Sequence, residues 1–114
     1  MAQGFTIHGC HDGDTLYVDV QLHGTLWLVG EKMRVEKVNC PEMSTPEGPT
    51  AKAFTEAWLA NHVFTLKLNE RRDKYGRLMG DLIATDGAKL SGDLLSSGNA
   101  VAYREFEDES GEVK

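Results

Sequence analysis

A chain of 114 residues fits one compact domain, and 40% hydrophobic with 26% charged residues excludes fibrous and wholly disordered classes. No stretch approaches the roughly 20 apolar residues of a membrane span, the opening MAQGFTIHG lacks a secretory leader's basic region and apolar run, and two cysteines are too few for a disulfide scaffold. The net charge of −6 argues against nucleic-acid affinity built on bulk positive charge, yet the last ten residues, EFEDESGEVK, set five carboxylates against one lysine and so hold most of that excess.

The chain as written therefore reads as cytoplasmic, unassociated with membranes and monomeric, with Cys10 and Cys40 reduced. Function must come from local clusters of charge. Residues 1–106 read as one domain and 107–114 as an acidic, solvated, disordered tail.

In chain order, Phe5-Thr6-Ile7 opens a strand that ends near His11-Asp12-Gly13-Asp14, where glycine between two aspartates marks a turn. Leu16, Val18, Val20 and Leu22 then alternate with Tyr17, Asp19 and Gln21, the period of a half-buried strand. His23-Gly24 is a turn. Leu26 and Leu28, then Met33, Val35 and Val38, suggest two further strand pieces separated by a second turn at Gly30-Glu31-Lys32. From Gly48 to His62 the period changes, with Ala51, Phe54 and Trp58 recurring as a helical face and Pro49 suited to its first turn.

Val63 to Leu68 and Leu78 to Ala84 return to strand, the latter closed by an Asp86-Gly87 turn. A short helix with Leu90, Leu94 and Leu95 stops at Gly98, and Val101-Ala102-Tyr103 adds a last strand. Short antiparallel strands hide their edges best by rolling up. The expected fold is α+β, mainly β: a five-stranded Greek-key barrel of the OB type with one packed helix and a second short one.

Three segments carry chemistry. Asp12-Gly13-Asp14-Thr15 puts two carboxylates in one turn that could hold a hard cation, although alone it reads as an ordinary hairpin turn. Arg34 to Glu42 ends in Cys40-Pro41-Glu42; proline forces the chain out of the sheet and leaves Glu42 at its rim, as a base or as a plain surface charge. Asp73-Lys74-Tyr75-Gly76-Arg77 places two cations around an aromatic, where Arg77 could grip phosphate as a fork and Lys74 as a point charge, or where the chain simply makes a charged β-turn. His8-x-x-His11 beside Cys10 invites a metal reading but finds no second ligand pair at zinc-site spacing, so His8, His11, His23 and His62 read as surface or rim groups.

These segments in this order, with Gly48-Pro49-Thr50-Ala51-Lys52-Ala53-Phe54-Thr55 between the second and third and Gly98-Asn99-Ala100-Val101-Ala102-Tyr103-Arg104-Glu105-Phe106 at the end, resemble the staphylococcal nuclease (thermonuclease) family. The resemblance implies a Ca²⁺-dependent nuclease acting on DNA and RNA and leaving 3′-phosphate and 5′-hydroxyl ends. It implies Arg34, Glu42 and Arg77 as catalytic, Glu42 being the general base. It implies Asp14, Asn39 and the backbone carbonyl of Cys40 as cation ligands with Asp12 shaping the site, and Lys74, Tyr75 and Tyr103 as substrate-binding. Asn39 stands where the family usually has a second ligating aspartate and Cys40 where threonine or alanine is common, so metal binding should weaken while its geometry survives. The spacing of Asp14 and Arg34 implies a longer hairpin over Leu22 to Lys32, and no amphipathic C-terminal helix is expected. The alternative is a catalytically weak or inactive nucleic-acid-binding or protein-interaction module on the same fold.

Overall fold

The structure, a computed structural model, describes residues 4–69 and 71–103. The acidic tail at 107–114, and Arg104, Glu105 and Phe106 of the closing motif, lie outside the described residues. Among the described residues, seven strands and two helices follow in the order β1 (Phe5–Asp12), β2 (Thr15–His23), β3 (Leu26–Val35), β4 (Val38–Asn39), α1 (Glu47–Asn61), β5 (Phe64–Leu68), β6 (Leu78–Ala84), α2 (Leu90–Ser96) and β7 (Val101–Ala102). Five strands form one curled sheet, a half-barrel, in the order β1-β2-β3-β6-β5, and β4 pairs with β7 in a second, two-stranded sheet. All neighbours are antiparallel except β3 and β6, which run parallel with Arg34 beside Met79.

The alternation read from β2 holds for Leu16, Val18 and Val20, each fully buried. Leu22 departs from it and is 46% exposed, because the β2–β3 hairpin runs on past the core. No turn interrupts β3 at Gly30-Glu31-Lys32. Instead Val29 and Gly30 together oppose Asp19, Gly30 takes φ +71°, and its N–H donates to Asp19 Oδ1 at 2.8 Å. This is a glycine bulge; it bends a continuous strand where the sequence suggests a break.

The core lies between the concave sheet face and the helices. β6 is buried along almost its whole length, as a central strand covered by α2 must be. Gly80 permits the tight curl there, since a Cβ would stand 2.4 Å from the Lys67 carbonyl oxygen on β5. The outer strands meet through side chains: Phe5 of β1 stacks on Phe64 of β5 at 6.0 Å, and Trp58 of α1 covers Phe64 at 5.6 Å. Trp58 also donates from Nε1 to Asp93 Oδ2 at 2.7 Å, tying α1 to α2.

The buried stripe of α1 is Gly48, Ala51, Thr55 and Trp58, one step round from the Ala51, Phe54, Trp58 face that apolar residues alone suggest. Thr55 takes the inner place because its hydroxyl donates to the Gly13 carbonyl at 2.6 Å, while Phe54 packs at the core's margin. Phe54→Ala should therefore cost about 2 kcal/mol, below the 3–5 kcal/mol of a fully buried aromatic. Urea unfolding checks it; a loss near the upper figure would put Phe54 in the core.

Candidate functional site

The β1–β2 turn is held by its own side chains and by α1. Asp12 Oδ1 accepts the Asp14 N–H at 3.2 Å, an Asx turn. Gly13 is there because nothing larger fits: a Cβ would lie 2.7 Å from Cys40 Sγ and 3.0 Å from the Ala51 methyl. Asp14 is thereby fixed in a buried position, where Oδ2 accepts the Cys40 N–H at 2.8 Å and pairs with Arg34 Nη1 at 3.0 Å.

Arg34 projects from β3 beside this pair with its side chain only 8% exposed. Its Nη2 donates to Asn39 Oδ1 at 3.1 Å, and its guanidinium carbon lies 5.4 Å from the centre of the Tyr103 ring. The β4–β7 pairing aligns Asn39 with Val101, and the Tyr103 N–H donates to the Lys37 carbonyl at 2.9 Å. These contacts bring Asn39 and Tyr103 to Arg34. Arg34 is accordingly a buried, paired charge rather than the free rim charge its place at a strand end suggests.

Burial, and the carboxyl of Asp12 sharing a hydrogen bond, push Asp14 up from 3.8 to about 6 despite Arg34 and the Cys40 N–H. Burial and the neighbouring aspartates push the Cys40 thiol up to about 12.

Pro41 turns the chain out of the sheet and leaves Glu42 exposed on a loop folded back on the start of α1. The Glu42 carbonyl accepts from the Thr45 N–H at 2.9 Å and the Thr45 hydroxyl at 2.6 Å. Gly48 in the first turn of α1 makes the fold-back possible, since a Cβ would sit 2.2 Å from the same Glu42 oxygen. The backbone of Glu42 is thus pinned while its carboxylate stands in solvent.

The 73–77 turn is organised by Asp73, whose side chain is fully buried. Its Oδ1 accepts the N–H groups of Tyr75 and Arg77, each at 2.9 Å, and its Oδ2 accepts Arg77 Nε at 2.6 Å. Gly76 supplies φ +82°. Arg77 is held by Nε, which aims its two terminal nitrogens as a fork, and its guanidinium lies 5.2 Å from the centre of the Tyr75 ring. Lys74 Nζ is 5.6 Å from that ring, and Tyr75 is 73% exposed. Parallel pairing of β3 with β6 puts Leu78 beside Met33, so both arginines come to the same end of the sheet.

Every catalytic, metal and substrate residue singled out from the sequence lines one open cleft of about 540 Å³. Their grouping is geometric, and their roles are a matter of chemistry. His11, Met43 and Ser44 also line it. His11 reads from sequence as a rim histidine, and only the curl of β1 shows which rim; Met43 and Ser44 carry no sequence signal beyond following Glu42.

Among the described residues no three His, Cys, Asp or Glu side chains assemble as a metal site. The oxygens that could hold a hard cation are the Asp12 and Asp14 carboxylates and the Asn39 amide. Asp14 Oδ2 and Asn39 Oδ1 both face the Arg34 guanidinium, at 3.0 Å from Nη1 and 3.1 Å from Nη2. The donor chemistry fits Ca²⁺ rather than Zn²⁺.

A curled five-stranded sheet with a parallel β3–β6 pair and two packed helices defines an OB-like domain, and its open cleft gathers an acidic turn and two arginines. The staphylococcal nuclease homologue family model matches residues 32–114, and the chain belongs to that family. The match takes in Arg34, Glu42 and Arg77 and begins within β3, after Asp12 and Asp14. A comparison with curated proteins gives no match. Membership points to nuclease-type action on nucleic acid. Among the described residues, no helix is long and apolar enough to cross a membrane.

Proposed function

We propose that the chain is a Ca²⁺-dependent nuclease that hydrolyses phosphodiester bonds of DNA and RNA with little sequence preference. The observation that carries this reading is the meeting, in one cleft, of two arginines, an exposed carboxylate and an acidic turn.

The terminal nitrogens of Arg77 grip two oxygens of the scissile phosphate while Asp73 holds the guanidinium from behind. Arg34 supplies a second guanidinium to the charge that builds on phosphorus. Glu42 orients a water and accepts its proton as the water oxygen bonds to phosphorus. The bond from phosphorus to the 5′-oxygen breaks, that oxygen takes a proton from solvent, and the products are a 3′-phosphate and a 5′-hydroxyl. Tyr75 and Tyr103 offer ring faces to bases, and Lys74 a charge to a neighbouring phosphate. Asp14, Asn39 and the Cys40 carbonyl would hold Ca²⁺ with Asp12 beside them; the bound ion supplies positive charge at the phosphate.

Nicking of supercoiled plasmid with Ca²⁺, against a chelator control and with end-group analysis, tests this reading; Ca²⁺-independent nicking, or none, sinks it. A second reading, a weak or inactive nucleic-acid-binding module, is favoured by the neutral Asn39 and by Arg34 being already engaged with Asp14. It expects oligonucleotide binding without nicking.

Asn39→Asp should tighten Ca²⁺ binding on the order of tenfold, or about 1.4 kcal/mol, because a formal charge replaces an amide dipole in the donor set. Calorimetry checks it. Unchanged affinity would remove residue 39 from the ligand set.

A further inference from the structure

We infer that His11 is a substrate-contact residue, donating from Nε2 to a phosphate next to the scissile one; this rests on the nuclease reading above. His11 is exposed, ends β1 and lines the cleft. It is not loose. Its Nδ1 lies 3.0 Å from the Tyr17 hydroxyl of β2, and the two rings meet edge to face at 6.2 Å and 86°.

The pairing of the strands explains the contact. Between Cys10 opposite Leu16 and Asp12 opposite Thr15 the register shifts, so His11 has no directly opposing residue and can reach Tyr17. With the Tyr17 hydroxyl as donor, Nδ1 is the acceptor and the proton of the neutral ring sits on Nε2. That nitrogen has no hydrogen-bond partner among the described residues. A phosphodiester oxygen accepts and cannot donate, so it complements such a group.

The size of the cleft supports a second phosphate. At about 540 Å³ it is larger than one phosphate group requires, and the arginines are both placed by the β3–β6 end of the sheet while His11 stands on β1. Its Tyr17 anchor needs no substrate, so the ring is ordered before binding and loses little freedom on contact.

Steady-state cleavage of a dinucleotide carrying one phosphodiester, against a tetranucleotide carrying three, tests this. In the parent chain the KM should be lower for the longer substrate. His11→Ala should raise the tetranucleotide KM about tenfold more than the dinucleotide KM, the low end for one hydrogen bond to a charged group, as fits an exposed ring. Its kcat on the tetranucleotide should be kept. His11→Asn, which keeps a donor, should recover part of the difference, and Tyr17→Phe should lose part of it. Thermal midpoints of the variants separate a folding defect from a binding one.

An equal loss on both substrates, or none on either, overturns the assignment while leaving the nuclease reading intact. A loss confined to kcat places His11 at the reacting phosphate and overturns it too. A parent chain that cleaves neither substrate overturns both readings together.

Discussion

Arg77→Lys is expected to lower kcat about 10²- to 10³-fold, with the thermal midpoint moved by only a few degrees. The reason is the division of labour within one guanidinium. Nε is spent on Asp73, and the two terminal nitrogens remain for two phosphate oxygens. An ammonium group carries its three donors on one atom: it has no separate nitrogen to leave with Asp73 and no planar fork to meet two phosphate oxygens in parallel. The fold should tolerate the change, because Asp73 keeps its bonds from the Tyr75 and Arg77 backbone N–H groups. Turnover within a few-fold of the parent would show that the fork is not used.

Arg34 should behave differently. It is the counter-charge of a buried carboxylate, so Arg34→Lys should cost stability as well as turnover. Its position in β3 gives no sign of this before folding.

The second large effect is a pH dependence of stability. Asp14 has its folded pKa near 6 against 3.8 for an ordinary aspartate, so the folded chain holds the proton more tightly than the unfolded one. That advantage is complete below pH 3.8 and is lost as pH rises through about 6. Across that window Asp14 takes away at most about 3 kcal/mol of stability. Asp81 is also pushed upward, by burial against the bonds it accepts from Ser91 and Leu82, and acts in the same direction.

Other carboxylates add their own slopes, so the measurement is a difference. Urea unfolding of the parent chain and of Asp14→Asn from pH 4 to 7.5 should show the parent losing stability relative to the variant as pH rises. Added Ca²⁺ at pH 7.5 should restore the parent and leave the variant unmoved, because an ion that binds only the folded chain stabilises it by mass action. A constant difference across the series would mean that Asp14 titrates normally and that its burial is relieved some other way.

The strands were legible where one face is buried and the other wet: β2 announces itself through Leu16, Val18 and Val20, and Gly98 with φ +81° ends α2 where its glycine suggests. β3 was harder, because the residue that signals a turn, Gly30, serves equally in a bulge, and the side chain that selects the bulge is Asp19 on another strand. Likewise Thr55 displaced Phe54 from the inner face of α1 for the sake of one hydrogen bond to Gly13, which no helical periodicity encodes. The acidic turn, Glu42 and the 73–77 turn could be picked out by residue type and order. That Gly13 and Gly48 are where the chain packs against itself could not.

By itself, then, the sequence determined most of the elements and the chemical inventory, because alternation, helical periodicity and turn residues act over a few positions and leave a local mark. The tertiary structure alone decided protonation, exposure and pairing. Asp14 holds a raised pKa, Arg34 is buried, and Asp73 aims Arg77, because burial and charge contacts depend on distances between β1, β3, β4 and β6, strands far apart along the chain. Those distances are set by the curl of the sheet, and no local run of residues carries them.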